Sequence, residues 1–416
     1  MSDAVTSTKS TTIKDILKRK DFWAFLVLFT AYVFITFILF HRQACEYDGR
    51  YPSDMPEYLG VLKGENQGLR MPYPLMFWLA RLFSLVVNEQ WGLTCSVTVL
   101  NGLSAIALYW CFLNTELKDD KKRGVLYVIL LFALLFVSMI YPFSYTLKMF
   151  GVDATFEPRY LGIYSPNPFH NATYLVARPF AILTFLLYVK LIDTYELQDR
   201  WFCKEYLLFS VTLFTATLAK PSFTLVFVAN AGLVMLWHLI VSKFKNWKAF
   251  FQFGIYFIPT FALLLYQYSD VFYSETENAS KGMVFAPFAV WKYYSNNIPV
   301  SILLAIAFPL IVAVFQYKKL IKKSTLQKAW LLYLIASLTF MLFSEKGYRL
   351  KHANFAWGYM YGLFFLHAVS LLELVRATRN SESKRGTLAI QWAFWVLHLI
   401  YGIDYFRVLM SGDIWA

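Results

Sequence analysis

Apolar runs of roughly twenty residues, parted by short polar stretches, recur along nearly the whole chain. About 20 residues of helix cross about 30 Å of hydrocarbon, so most of these runs have the length of a membrane span. The first, residues 22–40, is too long for the core of a signal peptide, and no small-residue cleavage pattern follows it. It is predicted to stay as a first helix, with the Ser/Thr-rich tail of residues 1–20 in the cytoplasm. Further spans are predicted at residues 91–113, 125–145, 173–192, 206–219, 222–241, 250–268, 300–317, 329–343, 359–374 and 388–405. The expected fold is an all-α membrane protein of about eleven transmembrane helices. Residues 71–88 are apolar but interrupted by Pro72, Pro74 and Arg81. Counted as a span, they would place the basic cluster at 118–123 outside, against the preference of Lys and Arg for the cytoplasmic side. They are therefore predicted as interfacial helical structure in the first outer loop.

Composition supports this class. Hydrophobic residues make up 58% of 416 and charged residues 16%, which leaves too little polar surface for a water-soluble domain. The net charge of +13 would suit nucleic acid if it lay on one face. Instead the Lys and Arg fall in short clusters between spans, which predicts membrane orientation, lipid contact and no nucleic-acid partner. Cys45, Cys95, Cys111 and Cys203 lack CxxC spacing, so neither a disulfide framework nor a zinc site is indicated. The absence of HExxH, a Walker lysine loop and a GxGxxG followed by an acidic residue argues against zinc protease, ATPase and dinucleotide readings.

On this topology the outer loops hold the candidate chemistry, and function concentrates in loops on a rigid scaffold. The loop from His41 to Arg70 contains Ser53-Asp54-Met55-Pro56-Glu57-Tyr58, two carboxylates three residues apart in a stretch stiffened by Pro52 and Pro56. As ordinary loop residues both would simply be solvated. The run Asn167-Pro168-Phe169-His170-Asn171 leads into a span containing Arg178, at a depth where an arginine either faces a partner or wet cavity or snorkels to the interface. His170 is a candidate base or phosphate-contacting donor. Lys220 stands in the tight turn Ala219-Lys220-Pro221, where a helix N-terminus adds positive potential, which suits a phosphate as well as it suits an interfacial anchor. Glu345, Arg349, Lys351, His352, Asn354 and Trp357 form a polar and aromatic cluster that fits either a lipid-linked phosphate or an interfacial belt. Glu157 and Arg159 pose the same choice with less support.

The layout of roughly the first 240 residues resembles the GT-C superfamily of polytopic glycosyltransferases. The shared features are a first helix, an outer loop with an acidic residue at Ser53-Asp54-Met55-Pro56-Glu57-Tyr58, membrane-parallel helical structure, and a basic residue in a tight outer turn at Ala219-Lys220-Pro221. One Asp and a nearby Glu stand where parts of the superfamily have an adjacent acidic doublet. On this resemblance residues 21–242 are a core-like part and 243–416 a variable part of one catalytic domain.

The resemblance implies transfer of a sugar, with inversion, from a polyprenyl-phosphate donor to an acceptor hydroxyl on the outer side, the acceptor being a glycan, lipid or protein of the cell envelope. Such a reaction needs a carboxylate to take the hydroxyl proton and cations for the leaving phosphate. Asp54, with Glu57 beside it, fits the first role; Arg178, Lys220, Arg349 and Lys351 fit the second; His170, Asn171, His352 and Tyr58 are further substrate contacts. No cofactor or metal is demanded. A bacterial cytoplasmic membrane is the expected location. Two other readings stay open: an O-antigen-type polysaccharide polymerase, and a flippase or transporter of lipid-linked sugars. A membrane acyltransferase using His238, His367 or His398 is a more distant one. Asn171-Ala172-Thr173 and Asn278-Ala279-Ser280 are sequons, relevant only to passage through an endoplasmic reticulum.

Overall fold

The computed structural model describes residues 17–45, 50–65, 71–141, 146–149, 152–155, 164–272, 282–322, 324–347, 350 and 353–412. The chain is an all-α bundle with, among the described residues, two short antiparallel strand pairs. Among the described residues, nine helices are long and apolar enough to cross a membrane. Long apolar helices of this kind are consistent with an integral membrane protein in contact with lipid.

The helices follow in order: α1 (Lys20–Cys45), α2 (Met55–Lys63), α3 (Leu75–Phe83), α4 (Glu89–Phe112), α5 (Gly124–Leu134), α6 (Ala172–Leu191), α7 (Lys204–Ala219) and α8 (Pro221–Val241). Then come α9 (Trp247–Gly254), α10 (Ile258–Phe272), α11 (Ala289–Tyr294), α12 (Ile298–Phe315), α13 (Tyr317–Ile321), α14 (Thr325–Leu342), α15 (Ala356–Arg379) and α16 (Arg385–Ser411). Side-chain caps start several of them: Asn88, Asn171, Asn297 and Ser324 each accept from the backbone N–H three residues on.

Two of the eleven expected spans are shorter than a span needs. The run at 206–219 is the 16-residue α7. Of the run at 125–145, the described residues are helical to Leu134, after which the backbone to Tyr141 extends between α12 and α16. Ser138 N–H donates to His398 O (3.2 Å) and Ile140 N–H to Leu304 O (3.0 Å), so this irregular backbone finds partners inside protein. A methyl group on Gly402 would overlap the Phe136 carbonyl, which is why a glycine faces this stretch. Asn167 Nδ2 closes the end of α5 by donating to Leu134 O and Val137 O.

The expected interfacial segment at 71–88 holds the nine-residue α3, packed antiparallel on the start of α4. Ser96 Oγ donates to Met76 O (2.8 Å), and the space beside Gly92 is filled by Ala80 O and Ser84. Its apolar tip at Leu85, Val86 and Val87 is exposed.

At the centre lies α15, buried along almost its whole length against α8, α12, α14 and α16. Glycines allow its close contacts, Gly358 with Ser222 O and Val226 of α8 and Gly362 with Tyr333 and Ala336 of α14. Helices from before and after residue 242 thus interleave in one bundle.

Candidate functional site

One end of the bundle gathers five separate segments around Asp54. The chain leaving α1 turns at Ser53, whose hydroxyl accepts from Met55 N–H, and enters α2 with Asp54 at the capping position. The Asp54 carboxylate does not cap its own helix. Its Oδ2 instead receives the Tyr58 hydroxyl (3.2 Å), one turn along α2, and the Asn171 amide in a short contact. Backbone Asp54 N–H also donates to His170 O (3.4 Å), fixing the loop on the segment before α6.

Asn171 is the hinge of the cluster. Its Oδ1 caps α6 by accepting from Tyr174 N–H (2.9 Å) and also receives Lys220 Nζ (2.8 Å) and Thr173 Oγ1 (3.0 Å). With that oxygen committed to donors, the amide nitrogen must face Asp54. One side chain thus bridges a carboxylate and an ammonium group.

Lys220 lies between α7 and α8, where Pro221 opens the second helix without a missing hydrogen bond. It is 6% exposed. Its three N–H bonds go to Asn171 Oδ1, Thr173 Oγ1 (2.8 Å) and the face of Trp357 from α15, 4.4 Å from the ring centre. All three acceptors are neutral. Burial pushes the ammonium down to about 7, with the Asp54 charge opposing the shift. Burial likewise raises Tyr58, to which Asp54 adds, so Tyr58 stays a hydroxyl donor.

His170 stands at the rim. Its Nδ1 lies 3.2 Å from the Tyr405 hydroxyl of α16, and its ring packs beside Trp357 at 5.6 Å. Burial holds its imidazole below the usual value, with Asp54 opposing and Lys220 adding to the shift. Tyr58, Asn171, Thr173 and Lys220 form a buried floor, and the half-buried Asp54, His170 and Trp357 form its open edge. Asp54 Oδ1 makes no hydrogen bond to the described residues, so one carboxylate oxygen is anchored and the other is available.

Six of the residues singled out in the sequence meet here: Asp54, Tyr58, His170, Asn171, Lys220 and Trp357. Glu57 is exposed on α2. Arg178 is fully buried one to two turns below, where its guanidinium donates to Ser104 Oγ, Asn167 Oδ1, Tyr32 Oη and Asn101 Oδ1 at 2.6–3.2 Å and lies over Phe364. Its place is a cross-link between α1, α4, α6 and the Asn167 loop. Arg349, Lys351 and His352, with Glu157, Arg159 and Asn278, lie outside the described residues. Of the described members of the same cluster, Asn354 pairs with Glu345 (2.6 Å), and Trp357 reaches Lys220. The Asn171-Ala172-Thr173 sequon is built into the floor, its Asn 2% and Thr 0% exposed, and both are committed to the hydrogen bonds above. Thr173 and Tyr405 escaped the sequence reading, the first because it was read as the start of a span and the second as the end of one. The chain matches no protein-family model, no curated protein and no solved structure.

Proposed function

We propose that the chain is a membrane glycosyltransferase that moves a sugar from a polyprenyl-phosphate donor to an acceptor hydroxyl. The observation that supports this most is the Asp54 carboxylate, with one oxygen held by Tyr58 and Asn171 and the other available, beside a buried lysine that contacts no carboxylate among the described residues. A base for an incoming hydroxyl and a cation for a departing phosphate are the two groups this transfer needs.

In the proposed step the acceptor oxygen attacks the anomeric carbon as its proton passes to Asp54 Oδ1. The bond from that carbon to the phosphate oxygen breaks, and the electron pair leaves with the polyprenyl phosphate. Protonated Lys220 stabilises that charge by exchanging a neutral contact for a phosphate oxygen. Trp357 offers an aromatic wall, and His170, held by Tyr405, lies at the entrance. Arg178 supports the floor from below, and Arg349, Lys351 and His352 are proposed as further donor contacts. In this proposal the site faces the extracytoplasmic side of a bacterial cytoplasmic membrane.

The test is transfer of labelled sugar by the purified protein from a panel of polyprenyl-phosphate sugars, with diphosphate-linked oligosaccharides and nucleotide sugars alongside. Transfer from a monophosphate-linked donor is the expected result. Transfer only from a diphosphate-linked glycan would replace this reading with a polymerase.

A further inference from the structure

Away from Asp54, polar side chains line the junction of α12, α15 and α16. His398 Nδ1 lies 2.6 Å from Ser138 O and must donate to it, while its Nε2 accepts from Phe308 N–H (3.2 Å). Both nitrogens of His398 are thereby engaged and the ring is held neutral. His367 packs against it with ring centres 4.9 Å apart. Its Nδ1 donates to Leu363 O (3.0 Å), so Nε2 carries a lone pair, and that atom is buried without a partner among the described residues.

Ser370 and Glu373 follow at three-residue intervals on the same face of α15. Elsewhere in the bundle hydroxyls turn back to the preceding helical turn, as the buried Ser337 of α14 does to Tyr333 O and the half-buried Thr378 to Leu374 O. Ser370 Oγ is fully buried and makes no such bond. Across the junction, Gln316 donates to Gln391 Oε1 (3.1 Å), while among the described residues its own Oε1 has no partner and Ser138 Oγ has none. Glu373 then reaches Lys319 (2.7 Å), and Lys319 also contacts the exposed Glu382. The seven residues from His367 to Glu373 span about 9 Å of helix, the length of about three water molecules in file.

An unmet polar atom in a low-dielectric interior costs about 1–3 kcal/mol, and native proteins meet such atoms with ordered water where several polar groups converge. We propose that this junction binds a file of water molecules that enters at the Glu373–Lys319 end and stops at His367. Ser370 Oγ and Gln316 Oε1 are its partners along the way, and Ser138 Oγ lies beyond the histidine pair. The file gives water from the face opposite Asp54 access to a histidine in the middle of the bundle.

Hydroxyl-radical footprinting of the full chain in lipid nanodiscs tests this, since radicals formed from bound water oxidise the side chains beside it. His367 is expected to be oxidised several-fold faster than Phe365, a buried neighbour on α15 that stacks on Phe185. Equal rates at the two positions would overturn the proposal. Ser370→Ala gives a second reading. In a hydrated file it removes a water contact and lowers the thermal midpoint, whereas a raised midpoint, the result for a dry site relieved of an unmet hydroxyl, would also overturn it.

Discussion

Lys220 joins burial to chemistry most directly. Its pKa lies near 7, below the ordinary 10.5, because the fold takes it out of water. Its charge is therefore present below about pH 7 and lost above it, whereas the unfolded chain keeps the proton to about 10.5. Between these values the unfolded state binds more protons, so this residue's contribution to stability rises with pH while the positive charge it carries in the fold falls. Affinity for a polyprenyl-phosphate donor is expected to weaken as pH rises from 6 to 8.5, and in Lys220→Met to be weak and flat, as read by tryptophan quenching. Asn171→Ala removes both a helix cap, worth about 1 kcal/mol, and the bridge between Asp54 and Lys220. It is expected to lower the thermal midpoint modestly and transfer by about 10²-fold or more, a split that separates cap from bridge.

At the scale of elements, the extended stretch after α5 is held by α12, α16 and Asn167, and α6 carries Arg178 into the bundle. Gly402→Ala drives a methyl group into the Phe136 carbonyl and is expected to cost about 2 kcal/mol, read as a lower midpoint. Arg178→Met strands the acceptors of Ser104, Asn101 and Asn167 and is expected to cost about 3 kcal/mol. The apolar runs made most helices legible in the sequence, since length and hydropathy are local properties. The end of α5 at Leu134 was not, because residues 136–141 are as apolar as a helix and become extended only by pairing with α12 and α16. Arg178 was legible as a buried charge but not as a cross-link, since its four acceptors lie on three other segments.

Over the whole molecule the two ends differ in how charge is met. Opposite Asp54, Glu116 takes Arg376 and Arg379 (2.6 Å each), Glu373 takes Arg376 and Lys319, and Asp193 takes Lys328. Buried ions there are paired, while buried Lys220 meets neutral groups among the described residues. Glu116→Gln is therefore expected to destabilise the bundle, by about 3 kcal/mol, while leaving donor affinity unchanged. Asp54, Lys220 and His170 could be singled out from loop position and flanking prolines. Their convergence depends on long-range packing, with Asn171 of α6 and Trp357 of α15 completing a site whose acid is more than a hundred residues away in the chain. The most direct measurement is steady-state transfer by Asp54→Asn with donor binding followed in the same samples. Loss of a base predicts kcat lower by about 10²–10⁴ with donor affinity retained. Unchanged kcat in a folded Asp54→Asn protein would contradict the assignment of Asp54 as the proton acceptor.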